Sequence, residues 1–402
     1  MKARDSVLSR AAMGRSRRVW TAFGVFAAVA LGCEPPATHE RLYEAEFGTE
    51  PPTHILVERL PDAWEVRNGT ERIVMPQEGE GVFRVPVFGG AWVGAWEGGE
   101  WSGFWVDSLR PNDYKVPLVM RPIAAAAPSP DRPVATSTWR TTEGTLHLRT
   151  RGDSAWGTIS TPTGDYRYLA GTLRDKVLII NTFDGSHLFR FDALVDGDSL
   201  VDGTFLSGTH YQTSFQGARV STGMPDKWES SFQLPVDSVL SFVGVNTRGD
   251  TVHWSSEGLA MRGKRGAVVD VLGTWCPNCM DEARMLASFA PDYPEIEFVS
   301  LAFERSSDER ALKRLNQFRS EMNLSWEVVL GGRASKQDAA AAISALDTVH
   351  SFPTTLFWPA AGSGVPKVHK GFNGPATGQG YEEEMETFRA ELDRLSGRSE
   401  NR

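Results

Sequence analysis

Ala267-Val268-Val269-Asp270-Val271-Leu272 runs directly into Gly273-Thr274-Trp275-Cys276-Pro277-Asn278-Cys279. The first segment, apolar except at Asp270, has the character of a strand buried on both faces. A C-x-x-C that follows such a strand and opens a helix, here Met280–Phe289, is the pattern of a redox dithiol. The thiolate is the reactive form of cysteine, and the N–H groups and dipole of a helix N-terminus stabilise it. Cys276, at the exposed start, is therefore expected to attack. Cys279 lies one turn deeper on the same face, where it resolves a mixed disulfide by closing the ring. Pro277 suits the first turn, where a missing N–H costs nothing. The other use of C-x-x-C, half a zinc site, needs two more ligands. The one remaining cysteine is Cys33 and no histidine stands at zinc spacing, so no metal is expected.

Working outward, extended and helical segments alternate downstream. Glu297–Phe303, Trp326–Leu330, Thr354–Trp358 and Lys367–Phe372 read as strands; Asp308–Met322, Lys336–Leu346 and Tyr381–Leu395 read as helices. Such alternation predicts an α/β sheet covered by helices over residues 233–397. Upstream, residues 54–222 carry short apolar or alternating runs such as His54–Leu60, Val82–Phe88, Lys176–Thr182 and His187–Leu194. Turn signals separate them, among them Asn68-Gly69, Thr163-Gly164-Asp165 and Asp184-Gly185. That spacing predicts an all-β region, a sandwich or small barrel. An Ala/Pro-rich linker at 123–136 divides it into a first part, 54–122, and a second, 137–222. Trp64, Trp92, Trp96, Trp101 and Trp105 crowd the first part, and the glycines among them favour rings packed in a core over an exposed stacking surface. His147, His187 and His210 are isolated and expected on strand surfaces.

The chain begins with a basic leader (Lys2, Arg4, Arg10, Arg15, Arg17, Arg18) and an apolar run from Val19 to Leu31. That run is too short to span a bilayer comfortably, and it ends in Ala30-Leu31-Gly32 before Cys33. Residues 1–32 thus read as a secretory signal. The segment resembles a bacterial lipoprotein signal cut before a lipid-modified cysteine, with Ala30 and Leu31 in swapped order, which makes Cys33 the lipidation site. Residues 33–53, from Cys33-Glu34-Pro35-Pro36 to Pro51-Pro52, read as a tether.

At 402 residues the chain predicts roughly two or three domains. Its 41% hydrophobic and 23% charged residues exclude a disordered or polytopic membrane protein. The net charge of −9 argues against nucleic acid as a partner.

Gly273–Cys279 resembles the active site of the thioredoxin superfamily, above all the membrane-tethered, extracytoplasmic reductases of the TlpA/ResA type. The resemblance spans residues 233–397 and implies a multidomain chain, an all-β region followed by an α/β thioredoxin-like fold. Trp275 stands immediately before the first cysteine, as in that family. Asp270 occupies the place of the buried carboxylate that shuttles a proton to the deeper cysteine. A lone acid in an apolar strand is costly without a task or partner, and desolvation raises its pKa into the range useful for acid–base work. An ordinary paired core acid is the other reading. Phe352-Pro353-Thr354 looks like the cis-proline loop that faces the C-x-x-C and pairs with the substrate backbone. Trp275, Pro277, Phe352, Pro353 and Thr354 are therefore the implied substrate-binding set. Gly371-Phe372-Asn373-Gly374 matches a glycine-bearing turn of TlpA-like proteins, and the long segment Glu304–Ala339 fits their extra strand–helix unit. Glu282 is read as helix surface or a minor pKa modulator.

These readings imply a lipid-anchored thiol–disulfide oxidoreductase of the cell envelope, facing the extracytoplasmic side. It would reduce protein disulfides with electrons from a membrane thiol donor, since no nicotinamide or flavin motif follows a strand and no cofactor beyond the dithiol is expected. Two other classes stay open. One is an envelope binding lipoprotein whose β region recognises a ligand. The other is a peroxiredoxin-like peroxidase, for which Gly273 stands where that family's pattern needs Thr or Ser.

Overall fold

A computed structural model describes residues 41–107, 110, 114–124, 132–220, 230–306 and 309–398. The leader, Cys33 and residues 125–131 of the Ala/Pro-rich linker lie outside the described residues.

The first β part is a closed barrel of eight strands, from Leu42–Phe47 to Lys115–Pro122. Each strand pairs antiparallel with the next, and the first also pairs with the last, Tyr43 opposite Pro122 through Phe47 opposite Leu118. Closure removes the edges a sheet would otherwise expose. The alternation Leu42-Tyr43-Glu44-Ala45-Glu46-Phe47 turns Tyr43, Ala45 and Phe47 inward. This corrects the tether, because residues 42–47 are a barrel strand and Thr53 begins the next. A period-2 pattern with one buried face outweighs the flanking prolines, and Pro51-Pro52 make the connection. Trp64, Trp92, Trp101 and Trp105 are fully buried in the barrel and Trp96 is partly so, as the glycine spacing predicts.

Eight longer strands from Ala135–Thr141 to Tyr211–Arg219 form the second part, with the short strand Gly164–Asp165 at one hairpin. Pairing runs from strand to strand and returns from the last to the first, Gly217 opposite Thr141. Of the two architectures expected, both parts are therefore barrels. Trp139, Phe191, Phe205 and Phe215 fill the second. Phe183, at the end of one of its strands, reaches into the first barrel, its ring 5.0 Å from Trp105, 5.3 Å from Trp92 and 5.7 Å from Phe47. Phe183 and Leu188 thereby belong to the apolar core of the first barrel, while the rest of the second barrel's core forms a cluster of its own.

The C-terminal part is an eight-stranded mixed sheet that begins at Ser231. Its central strand, Gly266–Leu272, is buried at every residue. It pairs parallel with Ile296–Glu304 and antiparallel with Thr354–Pro359. Glu327–Arg333 extends the parallel side, and the hairpin of Ser241–Asn246 and Thr251–Ser255 closes that edge. Four helices accompany it: α1 (Pro277–Phe289), α2 (Glu309–Glu321), α3 (Lys336–Ala342) and α4 (Gln379–Ser396). The C-x-x-C opens α1 directly after the buried strand, and strands and helices alternate after it as the periodicity predicts. The long segment after Glu304 forms α2 and the strand Glu327–Arg333. Among the described residues no helix is long and apolar enough to cross a membrane.

Candidate active site

Cys276 caps α1. Its Sγ accepts the Cys279 N–H at 3.2 Å, and the two cysteines form a disulfide with Cα atoms 5.2 Å apart. Cys276 keeps 6% of its surface exposed, whereas Cys279 is fully buried, so the outer sulfur is the accessible one. Trp275 is fixed by its indole N–H, which donates to the Phe303 carbonyl at 2.9 Å, and the Arg305 guanidinium lies over its ring. Opposite stands the loop Ser351–Thr354, in which the Phe352–Pro353 bond is cis. The Phe352 carbonyl oxygen is 3.5 Å from Cys276 Sγ, and the Phe352 ring meets Trp275 edge-on at 5.5 Å. Thr354 is placed differently from the expectation. It is buried and its hydroxyl donates to the Ser351 carbonyl at 2.8 Å, so the side chain holds the loop instead of facing the cleft.

Two carboxyl groups are buried together, one on the strand that leads into the C-x-x-C and one on α1, a turn beyond Cys279. Asp270 is 1% exposed, accepts a hydrogen bond from Ser300 Oγ at 3.3 Å, and is pushed up to about 7 by burial. Glu282 is fully buried on α1, accepts from the Thr355 hydroxyl, and is driven well above the usual carboxyl range by burial and by the charge of Asp270. The surface reading of Glu282 is thus corrected. It stands three residues after Cys279 and four and seven before Leu286 and Phe289, on the buried face of α1. That helical spacing was the legible signal. Asp270 Oδ1 and Glu282 Oε2 have no other partner, and one proton shared between the two groups satisfies both. Two adjacent buried carboxyls do not ionise together, so the pair keeps a proton near neutral pH.

The second barrel supplies the other wall, which no sequence pattern pointed to. Arg167 is buried between α1 and the first barrel, paired with Asp281 and Glu71, and its Nη1 donates to the Pro277 carbonyl at 3.3 Å. Asp165 accepts the N–H groups of Gly374 at 2.8 Å and Arg167 at 2.9 Å, and Asn278 Nδ2 donates to its carbonyl at 3.2 Å. Burial raises Asp165 to about 6. Gly371 has φ +74°, and a Cβ there would lie 2.6 Å from the Thr163 backbone, which explains the glycine-bearing turn as a close docking point. Ser186 Oγ donates to the Trp275 carbonyl at 2.7 Å. His187 is not an isolated strand-surface histidine. It sits in the hairpin after Phe183, with Nδ1 3.0 Å from Asp184 Oδ2. These loops and the C-x-x-C enclose a cavity of about 360 Å³, lined by Tyr166, Arg167, His187, Cys276, Pro277 and Phe352 among others.

No protein-family model matches the chain, and no curated protein matches it. Several solved structures are similar to part of it. A secreted Mycobacterium tuberculosis disulfide oxidoreductase, described as homologous to E. coli DsbE, is 20% identical over 38% of this chain and 93% of its own, with a TM-score of 0.27. A putative thiol:disulfide interchange protein DsbE from Chlorobium tepidum is 14% identical over 41% of this chain and 98% of its own, with a TM-score of 0.29. A secreted thiol-disulfide isomerase from Corynebacterium glutamicum is 13% identical over 43% of this chain and 98% of its own, also at 0.29.

Proposed function

We propose that this chain is a thiol–disulfide oxidoreductase working as a reductase of protein disulfides outside the cytoplasm, held to a membrane through acylated Cys33. The observation that carries it is the arrangement of three groups. An outer sulfur caps a helix, a buried sulfur lies one turn in, and a buried carboxyl pair joins that helix to the strand leading into the motif. Cys276 as thiolate attacks a substrate disulfide, forming a mixed disulfide and releasing one substrate thiol. Cys279 gives its proton to the Asp270–Glu282 pair, attacks Cys276 Sγ and releases the second thiol. The dithiol is itself the redox group, so a membrane thiol donor must return two electrons and two protons per cycle. Trp275, Pro277, Phe352 and the cis Pro353 shape the place where the substrate chain lies.

The test is the reduction potential of the Cys276–Cys279 pair, equilibrated in thiol buffers. A value below about −220 mV is expected; one above about −150 mV would make the chain an oxidant or isomerase. Loss of membrane association in Cys33→Ser checks the anchor separately.

A second reading, ligand binding by the β region, has its own observation. A cavity of about 830 Å³ opens between the barrels, lined by Ile55, Leu56, Trp156, Ile179 and the buried Asn181. Quenching of fluorescence that is lost in Trp156→Phe would mark an occupant there.

A further inference from the structure

We propose that His187, held by Asp184 on a hairpin of the second barrel, is the acid–base group that passes a proton to the substrate sulfur leaving from Cys276. The proposal rests on the dithiol reading above and adds to it a catalytic residue from outside the thioredoxin-like part.

The hairpin is wound around the Asp184 carboxylate. Asp184 Oδ1 accepts the N–H groups of Ser186 at 2.8 Å and His187 at 2.6 Å, while Oδ2 faces His187 Nδ1. Burial alone would push Asp184 up, but the imidazole of His187 and the guanidinium of Arg167 hold it below the ordinary carboxyl value, so it is ionised. A buried carboxylate on Nδ1 fixes the tautomer and leaves Nε2 as the nitrogen that exchanges a proton. Phe189 stacks against the ring at 4.8 Å and 12°, which fixes its plane. The hairpin is pinned to the residue before the reactive cysteine by the hydrogen bond from Ser186 to the Trp275 carbonyl, and Arg110 of the first barrel donates to the Ser186 carbonyl. His187 and Cys276 therefore line the same cavity by construction.

Elimination among the lining residues points the same way. From the C-terminal part come Trp275, Cys276, Pro277, Asn278 and Phe352, of which none but the cysteine, once reduced, offers an acid–base group. From the second barrel, Asp165 is engaged by two backbone N–H groups and Thr158, and Arg167 by two carboxylates. The Tyr166 hydroxyl donates to Glu143 and is pushed far above its usual value, first by burial. Asp270 and Glu282 are buried and do not line the cavity. His187 is the group left to serve the substrate side. Other charged or titratable groups at the hairpin are Arg167, which faces Asp184, Arg110, which donates to the Ser186 carbonyl, and His210, which faces His187 and is itself near Arg305.

The step balances as follows. The Cys276 thiolate attacks one sulfur of R–S–S–R′; the bond from Cys276 to R–S forms and the S–S bond breaks. The leaving R′–S⁻ takes the Nε2 proton of the His187 imidazolium and departs as R′–SH. Solvent reprotonates the ring. Closure of the Cys276–Cys279 disulfide then releases R–S⁻, which takes a proton by the same route. The substrate gains two electrons and the dithiol loses two.

A group that protonates the leaving thiolate matters for an alkyl thiol, with pKa near about 8.5, and not for an acidic aromatic thiol that leaves as a stable anion. The reduced full-length protein is mixed with bis(2-hydroxyethyl) disulfide and with 5,5′-dithiobis(2-nitrobenzoate), in wild type, His187→Gln and Asp184→Asn. For the alkyl disulfide, His187→Gln is expected to lower the rate constant about 10²-fold and to lose a limb of the pH–rate profile. For the aromatic disulfide it changes the rate by less than about twofold. Asp184→Asn falls between. If the Gln variant does not fold, His187→Asn, whose amide can replace the Nδ1 contact, carries the same comparison. An equal loss on both disulfides means that the side chain only shapes the cleft and overturns the proposal; so does no loss on either. Wild type inert toward both would instead overturn the dithiol reading itself.

Discussion

Both barrels are eight-stranded meanders, yet they meet the C-terminal part with different chemistry. The first touches α2 through Arg84, which pairs with Glu321 at 2.7 Å with both side chains about a quarter exposed, and through the Val87 N–H on the same carboxylate. The second presents Arg167, whose side chain is 4% exposed and bridges Asp281 on α1 and Glu71 of the first barrel. A half-solvated ion pair is worth little, because water competes for both partners. A buried one contributes little net stability when complete, but removing one partner leaves an uncompensated charge in the interior. The first barrel's link to α2 is thus one that tolerates change. The second barrel is locked in register with the cysteines, and its hairpins can serve as part of the site.

Arg167→Met should break that lock most severely. It strands Asp281 and Glu71, and the expected loss is about 3–5 kcal/mol in urea unfolding. A loss no larger than that of an exposed pair would erase the distinction between the barrels.

Asp270→Asn isolates what the sheet side contributes without either barrel. A carboxyl whose pKa is raised on folding binds its proton more tightly in the native state. Its stabilising effect is complete below the unfolded value and is lost as pH rises through about 7. Wild type should therefore lose about 1.4 kcal/mol per pH unit between pH 5 and 7 from this group. The variant should lose the part of the slope that Asp270 contributes and keep the part that the buried Glu282 contributes in chemical denaturation, while exchange by Cys279 slows about tenfold or more in stopped-flow.

Gly371→Ala sharpens the comparison at a point where the second barrel touches the turn near the site. It forces a side chain into positive φ against the Thr163 backbone, and about 2 kcal/mol of destabilisation is expected from thermal unfolding. The smallest effect belongs to the first barrel. Arg84→Ala should cost about 1 kcal/mol or less and leave the disulfide's reduction potential unchanged.

The parts of the site legible in advance were those written in short-range patterns. A buried strand, C-x-x-C and a helix start lie within a few residues of one another, and Pro353 was found by resemblance to a loop of known character. Glu282 was misplaced because a charged residue on a helix is usually solvated, although its spacing from Cys279, Leu286 and Phe289 put it on the buried face. The strand at 42–47 was overlooked because prolines on both sides suggested an extended tether.

By itself the sequence determined the C-x-x-C at a helix start, the α/β alternation that carries it, the two β parts and the burial of the tryptophans, since each follows from local periodicity or turn chemistry. Only the tertiary structure decided that both β parts close into barrels and that Phe183 ties them together. It also decided that Asp165, Arg167, Asp184 and His187 form the far wall of the cleft. Arg167 and Asp281 are 114 residues apart, and Ser186 and Trp275 are 89 apart. No local preference encodes contacts at such distances. They arise when folding buries charges and polar groups, each of which must then find its partner from whatever strand the closed sheets bring alongside.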